Sequence, residues 1–253
     1  GERLAPELAA AIARALVLAG EGEALTHLVR AAQGDTGALA VASIDALASI
    51  GDPSVAPILV RVSQAPLGAP GVKLTAVAAL LRLGGAEYEP LVREYLAAPS
   101  PPLRIQAHAA LAAVFPDDSR LAAPLADPEA PLALRLQALG HLAARSPDAP
   151  LIGAIVAAPD EQPQLRLAAA AALAGATSPA AVAALAAPLA PPEPDLEQPP
   201  PVLRRRCAQA LGALARGDGP AAEEARARLA TIAMDSDQPA EHRHWAAEAL
   251  LAC

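Results

Sequence analysis

Three helical positions recur along this chain at a fixed interval. Leu111, Ala107 and Arg104 stand at 0, −4 and −7, and the same residue types return at Leu142, Ala138, Arg135 and at Leu173, Ala169, Arg166. Residues spaced four and seven apart share one helical face, so each block predicts a helix with one side turned to a core. Extending the register gives anchor leucines at Leu47, Leu80, Leu111, Leu142, Leu173, Leu211 and Leu250, with a weaker first copy at Leu16. The −4 column is small throughout: Ser43, Ala76, Ala107, Ala138, Ala169, Cys207 and Ala246. Small side chains there let another helix approach closely. The −7 column is basic in six successive copies, Lys73, Arg104, Arg135, Arg166, Arg204 and Arg243, in a chain with only 19 lysines and arginines.

Turn chemistry follows most anchors, as in Gly51-Asp52-Pro53, Gly84-Gly85, Ser146-Pro147-Asp148 and Thr177-Ser178-Pro179. Asp or Ser ahead of Pro is a helix restart signal. A second apolar helix then runs through Leu59, Leu91, Leu125, Ile155, Leu185 and Leu229, with Ala221 to Met234 a longer, charged example. Each unit therefore reads as helix A, a tight turn and helix B. A cation near a helix N-terminus opposes the helix dipole, so the basic column predicts fixed anionic partners, with Asp160 for Arg166, Asp237 for Arg243 and Asp127 for Arg135.

These units resemble HEAT-like repeats of the short bacterial kind seen in phycobilisome lyases. The resemblance rests on the Arg-x-x-Ala-x-x-x-Leu of helix A, the Gly-Asp turns at Gly51-Asp52 and Gly217-Asp218, and Pro57-Ile-Leu59 in helix B. It implies an all-α, right-handed α-solenoid of about seven to eight stacked helical hairpins forming one domain over residues 1–253. One such unit cannot bury its own apolar faces, so neighbours must stack. An acidic, Pro-rich connecting loop at 191–201 lengthens one interval, and reads as a solvated, proline-stiffened connection or an interaction loop.

Composition agrees with a helical chain. Hydrophobic residues make up 54% but aromatic ones only 2%, and alanine dominates where strand formers are scarce. The uncharged stretch from Leu167 to Pro192 is long enough to span a bilayer, yet Gly175, Thr177, Ser178, Pro179 and Pro188 divide it into two short helices. A net charge of −8 argues against nucleic-acid binding by counterion release and against adsorption to anionic lipid. Two cysteines, Cys207 and Cys253, make no disulfide scaffold and favour a reducing, cytoplasmic setting. Gly1 in place of Met, with no secretory core behind it, reads as a fragment of a longer protein.

Catalytic patterns are sparse. His244 and Glu248, at i and i+4, resemble the iron-binding helix of deoxyhypusine hydroxylases, HEAT-like enzymes that gather His-Glu pairs from several repeats. Here Trp245 replaces the glutamate expected beside the histidine, and Ile105, Leu136, Leu167 and Arg205 occupy the equivalent positions of other units. His108 and His141 fall in other columns. No nucleophile elbow, phosphate loop or Cys-x-x-Cys occurs, and Arg216-Gly217-Asp218 is explained by its repeat turn. The expectation is no catalytic residue, no cofactor and no metal.

Surface recognition remains, and its best clues are the scarce large side chains. Tyr88 and Tyr95 lie seven apart on the third helix B with Arg93 between them, and helix B of such solenoids lines the concave face. Trp245 falls at −5, where other units carry Ala42, Thr75, Gln106, Gln137, Ala168 and Arg206, and reads as a covered end or a partner contact. The sequence thus points to a non-catalytic scaffold binding a protein through its concave helix B face, at Tyr88, Arg93, Tyr95 and Trp245. The rival reading is an enzyme or lyase-like chaperone using the same groove.

Overall fold

The computed structural model describes residues 5–34, 37–191 and 199–253, and within them fourteen α-helices form. They are α1 Pro6–Leu18, α2 Gly22–Gly34, α3 Ala38–Ile50, α4 Ala56–Ser63, α5 Pro70–Arg82, α6 Glu89–Glu94, α7 Pro101–Val114, α8 Leu132–Arg145, α9 Pro150–Ala157, α10 Pro163–Ala172, α11 Pro179–Ala186, α12 Pro201–Ala215, α13 Pro220–Met234 and α14 Ala240–Leu251. Proline stands in the first turn of α1, α5, α7, α9, α10, α11, α12 and α13. Its missing N–H is one of the unpaired donors of a helix start, so it begins helices without breaking them. Most of the acidic connection at 191–201, residues 192–198, lies outside the described residues.

The sequence reads as one repeat domain, and the chain divides into two compact units, one ending at Asp118 and the other beginning at Ser119. The boundary falls inside the fourth repeat, between helix A and helix B. Within the first unit α1 packs on α3, α3 on α5 and α5 on α7, while α2 packs on both α1 and α3. Within the second, α8, α10, α12 and α14 pack in series, and α9, α11 and α13 form the other layer against them. This is an all-α architecture of paired helices.

The small column explains how closely the A helices sit: Ser43, Ala76, Ala107, Ala138, Ala169, Cys207 and Ala246 are all essentially inaccessible. Burial pushes the Cys207 thiol up to about 12, so this sulfur packs as a small apolar group. Leu47, Leu80, Leu111, Leu142, Leu173 and Leu211 are buried as the register requires, and Leu250 is half-buried against the second core. Leu16 is 45% exposed; in that helix Ala10, Ala13 and Val17 face the core instead. The first copy therefore sits one residue out of the assumed register.

Helix B is regular in some units and not in others. Leu59, Leu125, Ile155, Leu185 and Leu229 are buried, but Leu91 is exposed and its neighbour Val92 takes the core position. There the segment is α6 flanked by 3₁₀ turns at Ala86–Tyr88 and Tyr95–Ala97. The fourth helix B is a 3₁₀ helix, Ser119–Ala126, with Pro124 inside it, where a missing N–H and the ring forbid continuous α geometry. The uncharged stretch after Leu167 is α10, α11 and short 3₁₀ turns, and no described helix is long and apolar enough to cross a membrane.

In the basic column Arg135 and Arg166 have different partners from the expected aspartates. Arg166 donates Nε and one terminal nitrogen to the Val156 carbonyl, at 3.1 and 3.0 Å, in the last turn of α9. Arg135 reaches the Leu125 carbonyl at 3.0 Å, at the end of the Ser119–Ala126 helix. In both cases a buried guanidinium caps the C-terminal end of the helix B before it, ten residues earlier. That end carries unpaired carbonyls and the negative pole of the dipole, which supplies the anionic site the column calls for. Arg135 also grips Glu161 with two bonds of 2.7 and 2.5 Å, joining α8 to the link between α9 and α10. The Arg135 hydrogen bond holds the Glu161 carboxyl below its usual range against the opposing effect of burial.

A second link between repeats lies in the turns. Asp148, in the Ser146-Pro147-Asp148 turn, accepts from Thr177 N, Thr177 Oγ1 and Ser178 N of the next turn, at 2.8 to 3.1 Å. Burial works to raise its pKa, but these bonds from Ser178 and Thr177 outweigh it and lower it from 3.8. The folded chain thus binds the Asp148 proton less readily than the unfolded one. Its contribution is complete above the unfolded value and is lost as pH falls through the folded one. Thermal melts between neutral pH and pH 3 are expected to show this acid loss, and Asp148→Ala should be less stable at pH 7 with a shallower acid slope. An unchanged slope removes Asp148 from the account.

Candidate binding surfaces

On the third helix B, Tyr88 closes the first 3₁₀ turn and packs partly against the core of the first unit. Its ring sits over Gly85, where a Cβ would come within 2.6 Å of Tyr88 Cδ2, so only glycine fits beneath it. Arg93 donates Nε to Glu89 Oε1 at 2.6 Å and pairs through a terminal nitrogen with Asp118. Its charge is therefore matched within the fold. Tyr95 opens the second 3₁₀ turn and is half-exposed. The change from α to 3₁₀ on either side of α6 means that the two tyrosines do not share a continuous α-helical stripe.

Trp245 is on α14 in the second unit, half-buried against its core, and stacks on His242 with centroids 5.6 Å apart and planes inclined at 28°. The −5 column is not uniformly outward. Thr75 is buried and Gln106 donates its amide to Thr75 Oγ1 at 2.7 Å, so successive A helices use this column to face one another. His242 itself is buried beside Gln238, with Nδ1 3.2 Å from Oε1. Desolvation, aided by the Arg204 charge, depresses its pKa.

The His244–Glu248 pair, 3.3 Å apart, sits on the exposed side of α14. Among the described residues no group of three or more His, Cys, Asp or Glu side chains is placed to hold a metal ion.

The sequence reading missed a different surface. On α1, Leu8, Ile12 and Leu16 stand at i, i+4 and i+8 and are 49, 44 and 45% exposed. They line the side of α1 turned away from Ala10, Ala13 and Val17, and Ile12 and Leu16 border a cleft of about 470 Å³ between α1 and α2 with Ala24, Glu23 and His27. The signal was the four-residue spacing itself. Treating Leu16 as a core anchor concealed it.

No protein-family model matches the chain, and no curated protein sequence matches it. Among solved structures, human deoxyhypusine hydroxylase in complex with glycerol aligns over 98% of this chain and 96% of that chain, with 23% identity and a TM-score of 0.42.

Proposed function

We propose that this chain is a non-catalytic scaffold of HEAT-like units, of the short kind its helix A motif resembles, that binds a protein partner. The observation that carries this reading is the aliphatic stripe of Leu8, Ile12 and Leu16 on α1. Isolated exposed leucines are ordinary, but three aligned along one helix beside a cleft are the usual mark of a contact surface. An amphipathic helix or other apolar segment of a partner suits such a stripe. Tyr88, Arg93 and Tyr95 on the third helix B form the second proposed contact, with the Tyr88 ring seated partly against the core.

Affinity capture from cells that make the protein tests both surfaces. The triple variant Leu8→Asp, Ile12→Asp, Leu16→Asp should lose a captured partner by more than tenfold, above about 1.4 kcal/mol. Tyr88→Ala with Tyr95→Ala should weaken capture less, and circular dichroism checks that helical content is kept. A wild-type bait that enriches nothing, or a triple variant that captures as well as wild type, overturns the reading.

A further inference from the structure

A groove on the second unit carries its own chemical signature. Along α12 and its C-terminal cap, Arg205, Gln209, Gly212 and Arg216 fall at i, i+4, i+7 and i+11, so they share one face. They line a cavity of about 290 Å³ whose other wall is Trp245, Glu248 and Ala249 of α14 with Ala252 just after it. The floor is bare backbone: a Cβ on Gly212 would meet the Ala249 Cβ at 2.9 Å, so the helices cross closely and leave an apolar strip between them. Trp245 borders that strip, its ring held by stacking on His242.

The charge along this groove runs against that of the whole protein. The chain carries −8, yet residues 201–217 contain four arginines and no acidic residue. Arg205 and Arg216 are exposed and make no ion pair among the described residues, while Arg226 of α13 is spent on the Ala215 and Gly217 carbonyls. Glu248, the one carboxylate in the lining, has His244 beside it.

We propose that this groove binds an extended acidic segment of a partner protein. Two carboxylates engage Arg205 and Arg216, an apolar side chain lies over Gly212 and Ala249 against Trp245, and Gln209 bonds the peptide backbone between them. The two arginines are three helical turns apart, roughly 16 Å along the axis. An extended peptide rises about 3.3 Å per residue and turns alternate side chains to one face, so acids about four or six positions apart, with an apolar residue of the same parity between them, match that span. Guanidinium forks suit carboxylates. Glu248 at the same wall disfavours the denser charge of a nucleic-acid backbone. This inference rests on the scaffold reading and names a partner chemistry for it, on a surface separate from the α1 stripe.

Trp245 is the protein's only tryptophan, so its emission reports on this groove alone. The probe is a blocked heptapeptide, Glu-Ser-Leu-Ala-Gly-Ser-Glu, titrated into the full chain. A saturable change in Trp245 emission is expected, weakening as salt rises, and Arg205→Glu with Arg216→Glu should weaken it by more than about tenfold. Both positions are exposed, and an unchanged melting curve shows that the variant folds. No saturable change, or the same change from a peptide with Lys at both Glu positions, overturns the proposal. So does tighter binding of an oligothymidylate, which would make the groove a nucleic-acid site. Each of these leaves partner capture through Leu8, Ile12 and Leu16 standing, so the two readings fail separately.

Discussion

Leu173→Ala is expected to destabilise the second unit by about 2–5 kcal/mol, the range for a buried leucine truncated in a packed interior. Leu173 is 1% exposed and lies in the cluster that α8 to α14 share. In a stack of repeats each unit is held by its neighbours, so a cavity there weakens two interfaces at once. Denaturant unfolding followed by circular dichroism measures the loss, with Leu251→Ala, on a residue 89% exposed, as the control. A cost equal to the control's would show that this column is not the core.

Arg135→Ala should cost about 1–3 kcal/mol, because it leaves the buried Leu125 carbonyl without its donor and removes two charge-assisted bonds to the half-buried Glu161. Arg135 is 3% exposed and its loss strands the Leu125 carbonyl, while the Glu161 carboxylate keeps the Gln162 N–H and some access to water. Lysine is a poor replacement, since a single ammonium cannot span the carboxylate and the carbonyl as a planar fork does. Asp160→Ala provides the contrast: the geometry assigns Arg166 to the Val156 carbonyl, so this substitution should fall within about 0.5 kcal/mol of wild type, as surface changes do. A large effect at Asp160 with a small one at Arg135 would reverse the assignment of the basic column.

The helix pairs, the buried small column and the inner anchors were legible in the sequence because each depends on local periodicity, which a 31-residue recurrence repeats many times over. Terminal copies were harder. Leu16 and Val17 are adjacent aliphatics in an alanine background, and only packing against α3 decides which one turns inward. The arginine partners were misread for a related reason: sequence displays charged side chains and hides backbone carbonyls, so the acceptors at Leu125 and Val156 had no letter to mark them. The groove beside Trp245 depends on the approach of Gly212 to Ala249, a contact across 37 residues that no spacing within α12 announces.

The ten-residue reach from arginine to the carbonyl ahead of it bears on how such a chain can change over time. The strut spans the link from a helix B to the next helix A, so that link has a fixed length wherever the bond is made. Inside the α12–α13 hairpin Arg226 makes a comparable brace to the Ala215 and Gly217 carbonyls, so it travels with the hairpin as a whole. Duplication or excision of a whole hairpin with its following arginine therefore transmits a complete unit, whereas inserting residues between Leu125 and Arg135, or between Val156 and Arg166, severs the brace. The seams at which this architecture can be lengthened or shortened are set by a hydrogen bond to the backbone, not by the surface charges.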